Sequence, residues 1–211
     1  MIEIQIENVT KRIKGNEVLK DISLELHGGE VAGLAGVNGS GKTMLMRLIS
    51  GLLLATEGEV RVNGKILGKD IEFPESMGIL IENPAFLDYY SGFQNLRLLA
   101  SIRQKADDAQ IRAALERVGL NPYDKKKYKK YSLGMKQRLG IAGAVFEEPE
   151  LLILDEPTNA LDEAGITLLK QIVRQEKERG ALVIISCHDR DILEELADTI
   201  YGLENGRMKE R

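Results

Sequence analysis

The chain has 211 residues, 43% of them hydrophobic and 29% charged, with a formal net charge of −4. These proportions exclude wholesale disorder and a strongly basic nucleic-acid binder, and the length suits one domain carrying a sub-domain. The single cysteine, Cys187, excludes an internal disulfide framework and an all-cysteine metal site.

In chain order, Ile2, Ile4 and Ile6 share one face at period two, as do Ile22, Leu24 and Leu26; two half-buried strands are expected. The opening segment, MIEIQIENVTKR, alternates apolar and polar residues and has no signal-peptide core. No apolar run approaches the length of a membrane span, so a cytoplasmic chain is expected. Val31 to Ala35 is a short apolar strand, and Lys42 to Ile49 a helix. Between them lies Gly36-Val37-Asn38-Gly39-Ser40-Gly41-Lys42-Thr43, which matches the P-loop pattern G-x-x-x-x-G-K-[ST] in the strand-to-helix context that the pattern requires. Glycines there let backbone N–H groups curl around phosphate oxygens, and the following helix aims its positive end at them. Lys42 is expected to reach the β- and γ-phosphates and Thr43 to ligate Mg²⁺ through its hydroxyl. With Met44, these residues form the expected nucleotide-binding run.

Val60 and Val62 lead into Asn63-Gly64, with Ile66 beyond, a hairpin signal that completes an antiparallel β portion near the N-terminus. Met77 to Ile81 reads as a strand. From about 83 to 148 the pattern is helical. Asp107 or Asp108 caps a helix whose apolar face is Ile111, Ala114, Leu115 and Val118, and Gly119 ends it. A second helix runs from about Leu133 to Phe146. The basic run Lys125 to Lys130, with interleaved tyrosines, is expected to be a solvated loop, with nucleic acid or anionic lipid as the alternatives.

Leu151 to Leu154 is an apolar strand that delivers Asp155 and Glu156 at its C-terminal end, the edge where ligands sit in open α/β sheets. Asp155 would hold Mg²⁺ and Glu156 would act on the attacking water. A helix over about 163–179 and a strand over Leu182 to Ser186 follow, with His188 just beyond. Cys187 is expected to pack as a small buried hydrophobe. The fold expected is α/β with a mainly parallel sheet covered on both faces. Residues 1–82 and 149–211 would form its core, and 83–148 an inserted helical sub-domain.

Asp155-Glu156-Pro157-Thr158-Asn159-Ala160-Leu161-Asp162 and Tyr131-Ser132-Leu133-Gly134-Met135-Lys136-Gln137-Arg138-Leu139 carry a more specific signal. Together with the P-loop and His188, they resemble the ATP-binding cassette (ABC) ATPase family over nearly the whole chain. P-loop kinases and GTPases share the first motif but lack the Ser132 to Gln137 segment. The resemblance implies one nucleotide-binding domain with a RecA-like P-loop NTPase core, acting on ATP with Mg²⁺. It implies a head-to-tail homo- or heterodimer with two ATP molecules between the subunits. Ser132 and Gly134 would touch the γ-phosphate held by the partner, and Asp162 would cross the interface, although Asp162 also fits a plain helix N-cap. Lys42, Glu156 and His188 would be the catalytic set, with His188 positioning the water. ATP hydrolysis would power a separate membrane-spanning permease, placing the subunit at the inner face of the membrane. The competing reading is a soluble ABC ATPase acting on ribosomes or DNA, which usually carries two cassettes or long coiled coils.

Two departures stand out. Most members carry glutamine where this chain has Glu82, so a carboxylate becomes a candidate Mg²⁺ ligand. The aromatic that often stacks on adenine aligns with Ile13, which cannot stack. The segments ILIENPAF and YSLGMKQRLGIA resemble the subgroup that exports bacitracin, lantibiotics and related antimicrobial peptides.

Overall fold

The computed structural model describes residues 1–103 and 105–209. The elements, in order, are β1 (Glu3–Ile13), β2 (Asn16–His27), β3 (Val31–Ala35), α1 (Lys42–Ile49), β4 (Glu57–Val62), β5 (Lys65–Ile66) and β6 (Met77–Leu80). Then come α2 (Gly92–Arg103), α3 (Asp108–Arg117), α4 (Leu133–Val145), β7 (Leu151–Leu154), α5 (Glu163–Glu178), β8 (Leu182–Ser186), α6 (Arg190–Leu196), β9 (Thr199–Glu204) and β10 (Arg207–Met208).

A six-stranded sheet in the order β10-β9-β3-β8-β7-β6 forms the centre. Its strands are parallel except for the β9–β10 pair. Alternate residues of these strands feed two different cores. Val31, Leu152, Leu154, Val183 and Ile185 join one, with apolar residues of α3, α4, α5 and α6. Ala32, Leu34, Leu151, Ile153 and Ile184 join the other, with α1 and the inward face of the antiparallel sheet. Burial on both faces is why these strands read as unbroken apolar runs rather than alternating ones. Each fully buried Leu or Ile contributes roughly 1.5–3 kcal/mol, so the centre is the most strongly held part of the chain.

The antiparallel sheet has the order β2-β1-β4-β5. Ile4 and Ile6 on β1 pair with Leu26 and Leu24 on β2 and with Val62 and Val60 on β4. Asn63 and Gly64 both adopt positive φ, 50° and 75°, which is the type I′ turn that twists with its strands. This sheet is the antiparallel portion expected near the N-terminus.

Helices occupy the stretch between β6 and β7. Asp107 accepts the Gln110 N–H, and Gln110 reaches back to the Asp107 N–H, a complete capping box that starts α3. Gly119, at φ 72°, follows its last residues. The element α2 escapes a periodicity reading because Leu98, Leu99 and Ile102 are exposed while Leu96 and Ala100 are buried. Nor were α6, β9 and β10 among the expected elements.

The helical stretch meets the sheet through glycine. A Cβ on Gly78 of β6 would collide with the Ala144 carbonyl of α4 and the ring of Pro149. Neither neighbour is a flexible side-chain tip, so the helix must retreat. Gly78→Ala is expected to destabilise the protein by about 3 kcal/mol. Urea unfolding at equilibrium checks this; a loss under about 1 kcal/mol would mean that α4 yields easily.

Candidate functional site

The sequence between β3 and α1 folds as a loop over the start of α1. Gly39 and Gly41 hold φ values of 79° and 115°, which only glycine takes without strain. No side chain caps α1 and no acidic residue sits in its first turn. Its first N–H groups and the positive end of its dipole are thus left for an anion. They border a cleft of about 610 Å³ lined by residues 38–44, Glu82, Asp155, Glu156 and His188. Gly36 and Val37 face a neighbouring hollow, so their place differs from the rest of the expected nucleotide-binding run.

The Lys42 ammonium is buried and donates to the Gly36 carbonyl at 2.7 Å. It lies 3.9 Å from Glu156 Oε1. Thr43 donates its hydroxyl to Asp155 Oδ2 at 2.6 Å. Asp155 Oδ1 accepts from the Ser186 hydroxyl at 2.7 Å, and Ser186 Oγ accepts the Glu156 N–H at 3.0 Å. One serine on β8 therefore fixes both carboxylate residues at the end of β7. Glu156 itself has φ 51°, a strained value for a non-glycine residue. Gln137 on α4 steadies that turn, donating to the Pro157 carbonyl at 3.1 Å.

Glu156 Oε2 is buried with no hydrogen-bond partner among the described residues, and His188 Nε2 lies 3.7 Å from it. Burial pushes the Glu156 carboxyl above the usual carboxylate range, against the pull of His188 and Lys42. A carboxylate in such a setting is a stronger base than an exposed one. Cys187 is buried, and desolvation together with the charge of Glu156 pushes its thiol up to about 12. The thiol stays protonated, as expected for a packing residue.

Glu82 lines the same cleft but turns its carboxylate to Arg47 of α1, at 2.6 Å. Glu82, expected as a candidate Mg²⁺ ligand, sits on a backbone with φ 60° and is ion-paired with Arg47. Ile13 closes the β1–β2 hairpin, and the cleft wall near it is built instead from Val18 and Lys20 of β2 with Asn205 and Gly206. Val18 and Lys20 carry no sequence signal, whereas Asn205-Gly206 is the same hairpin dipeptide as Asn63-Gly64, with φ values of 50° and 80°. Lys20 N–H donates to the Gly206 carbonyl at 2.8 Å, and one backbone bond joins this wall to the loop, Gly206 N–H to the Ser40 carbonyl at 2.9 Å.

Ser132, Gly134 and Asp162 lie in a separate hollow of about 450 Å³, with Arg138 and Ala160. Ser132 caps α4 by accepting the Met135 N–H at 3.2 Å. Asp162 caps α5 by accepting the Gly165 N–H at 2.9 Å, so the N-cap reading holds. Arg138 also donates to Asp162, at 2.6 Å. These two hydrogen bonds hold its carboxyl below the usual range.

The donors suit a magnesium nucleotide. Thr43 and Asp155 offer hard oxygen ligands side by side, and the uncapped helix and buried lysine suit phosphate. Ser40 Oγ, buried in the same loop, has no partner among the described residues.

Known proteins resemble this chain in sequence and in fold. A family model described as "ABC transporter" matches residues 19–159. The uncharacterized ABC transporter ATP-binding protein YybJ of Bacillus subtilis (strain 168) is 47% identical over 206 residues, 98% of this chain and 94% of that protein. The bacitracin transport ATP-binding protein BcrA of Enterococcus faecalis is 40% identical over 209 residues, 98% of this chain and 68% of BcrA. A solved structure of the ATP binding subunit of an ABC transporter superposes with a TM-score of 0.88 at 27% identity, covering 98% of this chain and 88% of the other. With a P-loop, a carboxylate pair and a separate signature segment on one α/β frame, the chain belongs to the ABC transporter family, as one of its ATP-binding subunits.

Proposed function

We propose that this chain powers export of an antimicrobial-peptide-like substrate through a separate membrane-spanning permease, working as a head-to-tail pair with a second ATPase subunit. The permease would hold it at the cytoplasmic face of the membrane. The chain would act as one nucleotide-binding domain, 83–148 being the helical sub-domain and 1–82 with 149–211 the core. The observation that carries the pairing is the separation of two hollows. The P-loop, Asp155, Glu156 and His188 line one, and Ser132, Gly134 and Asp162 line another, with no residue in common. This separation supports a composite site whose second half comes from another subunit. The export reading rests on the resemblance to BcrA, named for bacitracin transport.

In this reading ATP lies along the P-loop with its phosphates on the α1 N–H groups and Lys42. Thr43 and Asp155 hold Mg²⁺, with Glu82 at the rim of the same cleft; the ion offsets phosphate charge when bound. Glu156 accepts the proton of the attacking water while His188 orients it. The partner's signature helix supplies further N–H donors to the γ-phosphate, so hydrolysis needs closure of the pair. Among the described residues no helix is long and apolar enough to cross a membrane, so the substrate path falls to the permease.

Ser132→Arg tests the pairing. The monomer should bind ATP as before, while ATPase falls by about 100-fold or more, because the cation blocks the facing nucleotide. Mixing this variant with Lys42→Ala should restore one composite site and a corresponding share of activity if the chain pairs with itself. If verified mixed pairs recover nothing, the head-to-tail arrangement of like subunits is wrong.

A further inference from the structure

Residues 125–130 carry five lysines in six positions, around Tyr128. Lys125, Lys126, Lys129 and Lys130 are exposed. Many other cations meet acids, among them Arg12 with Glu57, Lys65 with Glu75, and Arg117 with Glu176. Three lysines of this turn have neutral neighbours instead. Lys126 reaches Met135 Sδ at 3.6 Å, Lys127 reaches Gln94 at 3.2 Å, and Lys129 sits over the Tyr89 ring at 4.1 Å.

The fold adds aromatic side chains that the sequence keeps far away. Tyr128 N–H donates to the Tyr90 carbonyl at 2.9 Å, and Lys129 N–H to the Asp88 carbonyl at 3.1 Å. The Tyr128 hydroxyl donates to the Pro84 carbonyl at 2.6 Å. These bonds pin the loop 87–90 beside the lysines. Leu87, Tyr89 and Tyr90 are exposed there, with Tyr89 at 73%. Tyrosine and leucine amid lysine ammonium groups form a surface with apolar bodies and cationic tips, which suits the interfacial layer of a bilayer.

We propose that this surface, the loop 87–90 with the turn 125–130, docks directly on anionic lipid headgroups. Charge complementarity commits it to that occupant: Asp88 and Asp124 are outnumbered by the lysines, and an anionic leaflet attracts such a run by a roughly additive amount per lysine. Single-stranded nucleic acid fits less well. Its bases would need a row of open rings, and here Tyr128 is buried and Lys129 covers one face of Tyr89. The contact goes beyond the export reading, because it needs neither permease nor nucleotide.

The test is co-sedimentation of the purified subunit with phosphatidylcholine vesicles, with or without about one-third phosphatidylglycerol. Binding is expected only to the anionic vesicles and should vanish in 1 M salt, where screening is nearly complete. The variant Lys125→Gln/Lys127→Gln/Lys129→Gln should partition about 100-fold more weakly. Its ATPase without vesicles should match the wild type, which shows that it is folded. Lys11→Gln/Lys14→Gln, at the β1–β2 hairpin, should bind vesicles normally. Equal binding to neutral and anionic vesicles, no binding to either, or undiminished binding by the triple variant would overturn the proposal. So would tighter binding to a uridine oligonucleotide than to anionic vesicles.

Discussion

Lys42→Ala is expected to cut ATP hydrolysis by about a thousandfold and to weaken ATP binding. Among the described residues lining the P-loop cleft, Lys42 and Lys20 are the side chains that are always cationic, and only Lys42 is buried under the loop. Its bond to the Gly36 carbonyl ties the two ends of the loop together, so its removal loses both charge and closure. The same ammonium lies 3.9 Å from Glu156 and helps to keep that carboxyl ionised. Without it the carboxyl moves further up and the acid limb of any residual activity shifts to higher pH. Lys42→Arg is not expected to rescue turnover, because a planar guanidinium does not fit the space of a compact ammonium beneath a turn. Phosphate release and ATP titration measure the two effects separately. Turnover within tenfold of wild type would remove Lys42 from the phosphate site.

The parts of the site legible in the sequence are those whose chemistry is contiguous. Gly36 to Thr43 announces itself because a phosphate loop is built from consecutive backbone groups, and the apolar run before Asp155 fixes where that strand ends. The Ser186 hydroxyl that orients both carboxylate residues is 31 positions from Asp155 and has no local mark. The same holds for Glu82, whose pairing with Arg47 spans 35 positions. Val18, Lys20, Asn205 and Gly206 enter the cleft only because β2 and the β9–β10 turn meet at the loop. Asp162 shows the opposite limit. Its N-cap role was readable from the adjoining helix, but its company with Ser132 and Gly134 depends on α4 lying beside the start of α5. The strand β9 stayed hidden because Gly202 interrupts its pattern and Ile200 is exposed rather than buried.

Glu156→Gln should bind Mg-ATP, hydrolyse it about a thousandfold more slowly and accumulate as a closed dimer. The amide keeps the shape and still accepts a hydrogen bond through its oxygen, but it is a negligible base. It also removes a negative charge from beside the γ-phosphate, which favours the closed state. With ADP the same protein should be monomeric, because no γ-phosphate then bridges the P-loop of one subunit and the signature of the other. Size exclusion with light scattering in Mg-ATP and Mg-ADP reads this directly. A second readout needs no nucleotide. Glu156 has its pKa raised in the fold by burial, so ionisation costs more in the folded state than in the unfolded one. That cost is absent below the unfolded carboxyl pKa of about 4.3 and complete once pH exceeds the folded value. The apo variant should therefore melt above the wild type at neutral pH, with the difference shrinking as pH falls toward 4. In the wild type, the same shift should place the acid limb of hydrolysis above the range of a free glutamate. Near-wild-type turnover would dismiss Glu156 as the base, and a variant that melts below wild type at neutral pH would mean that Lys42 and His188 outweigh burial.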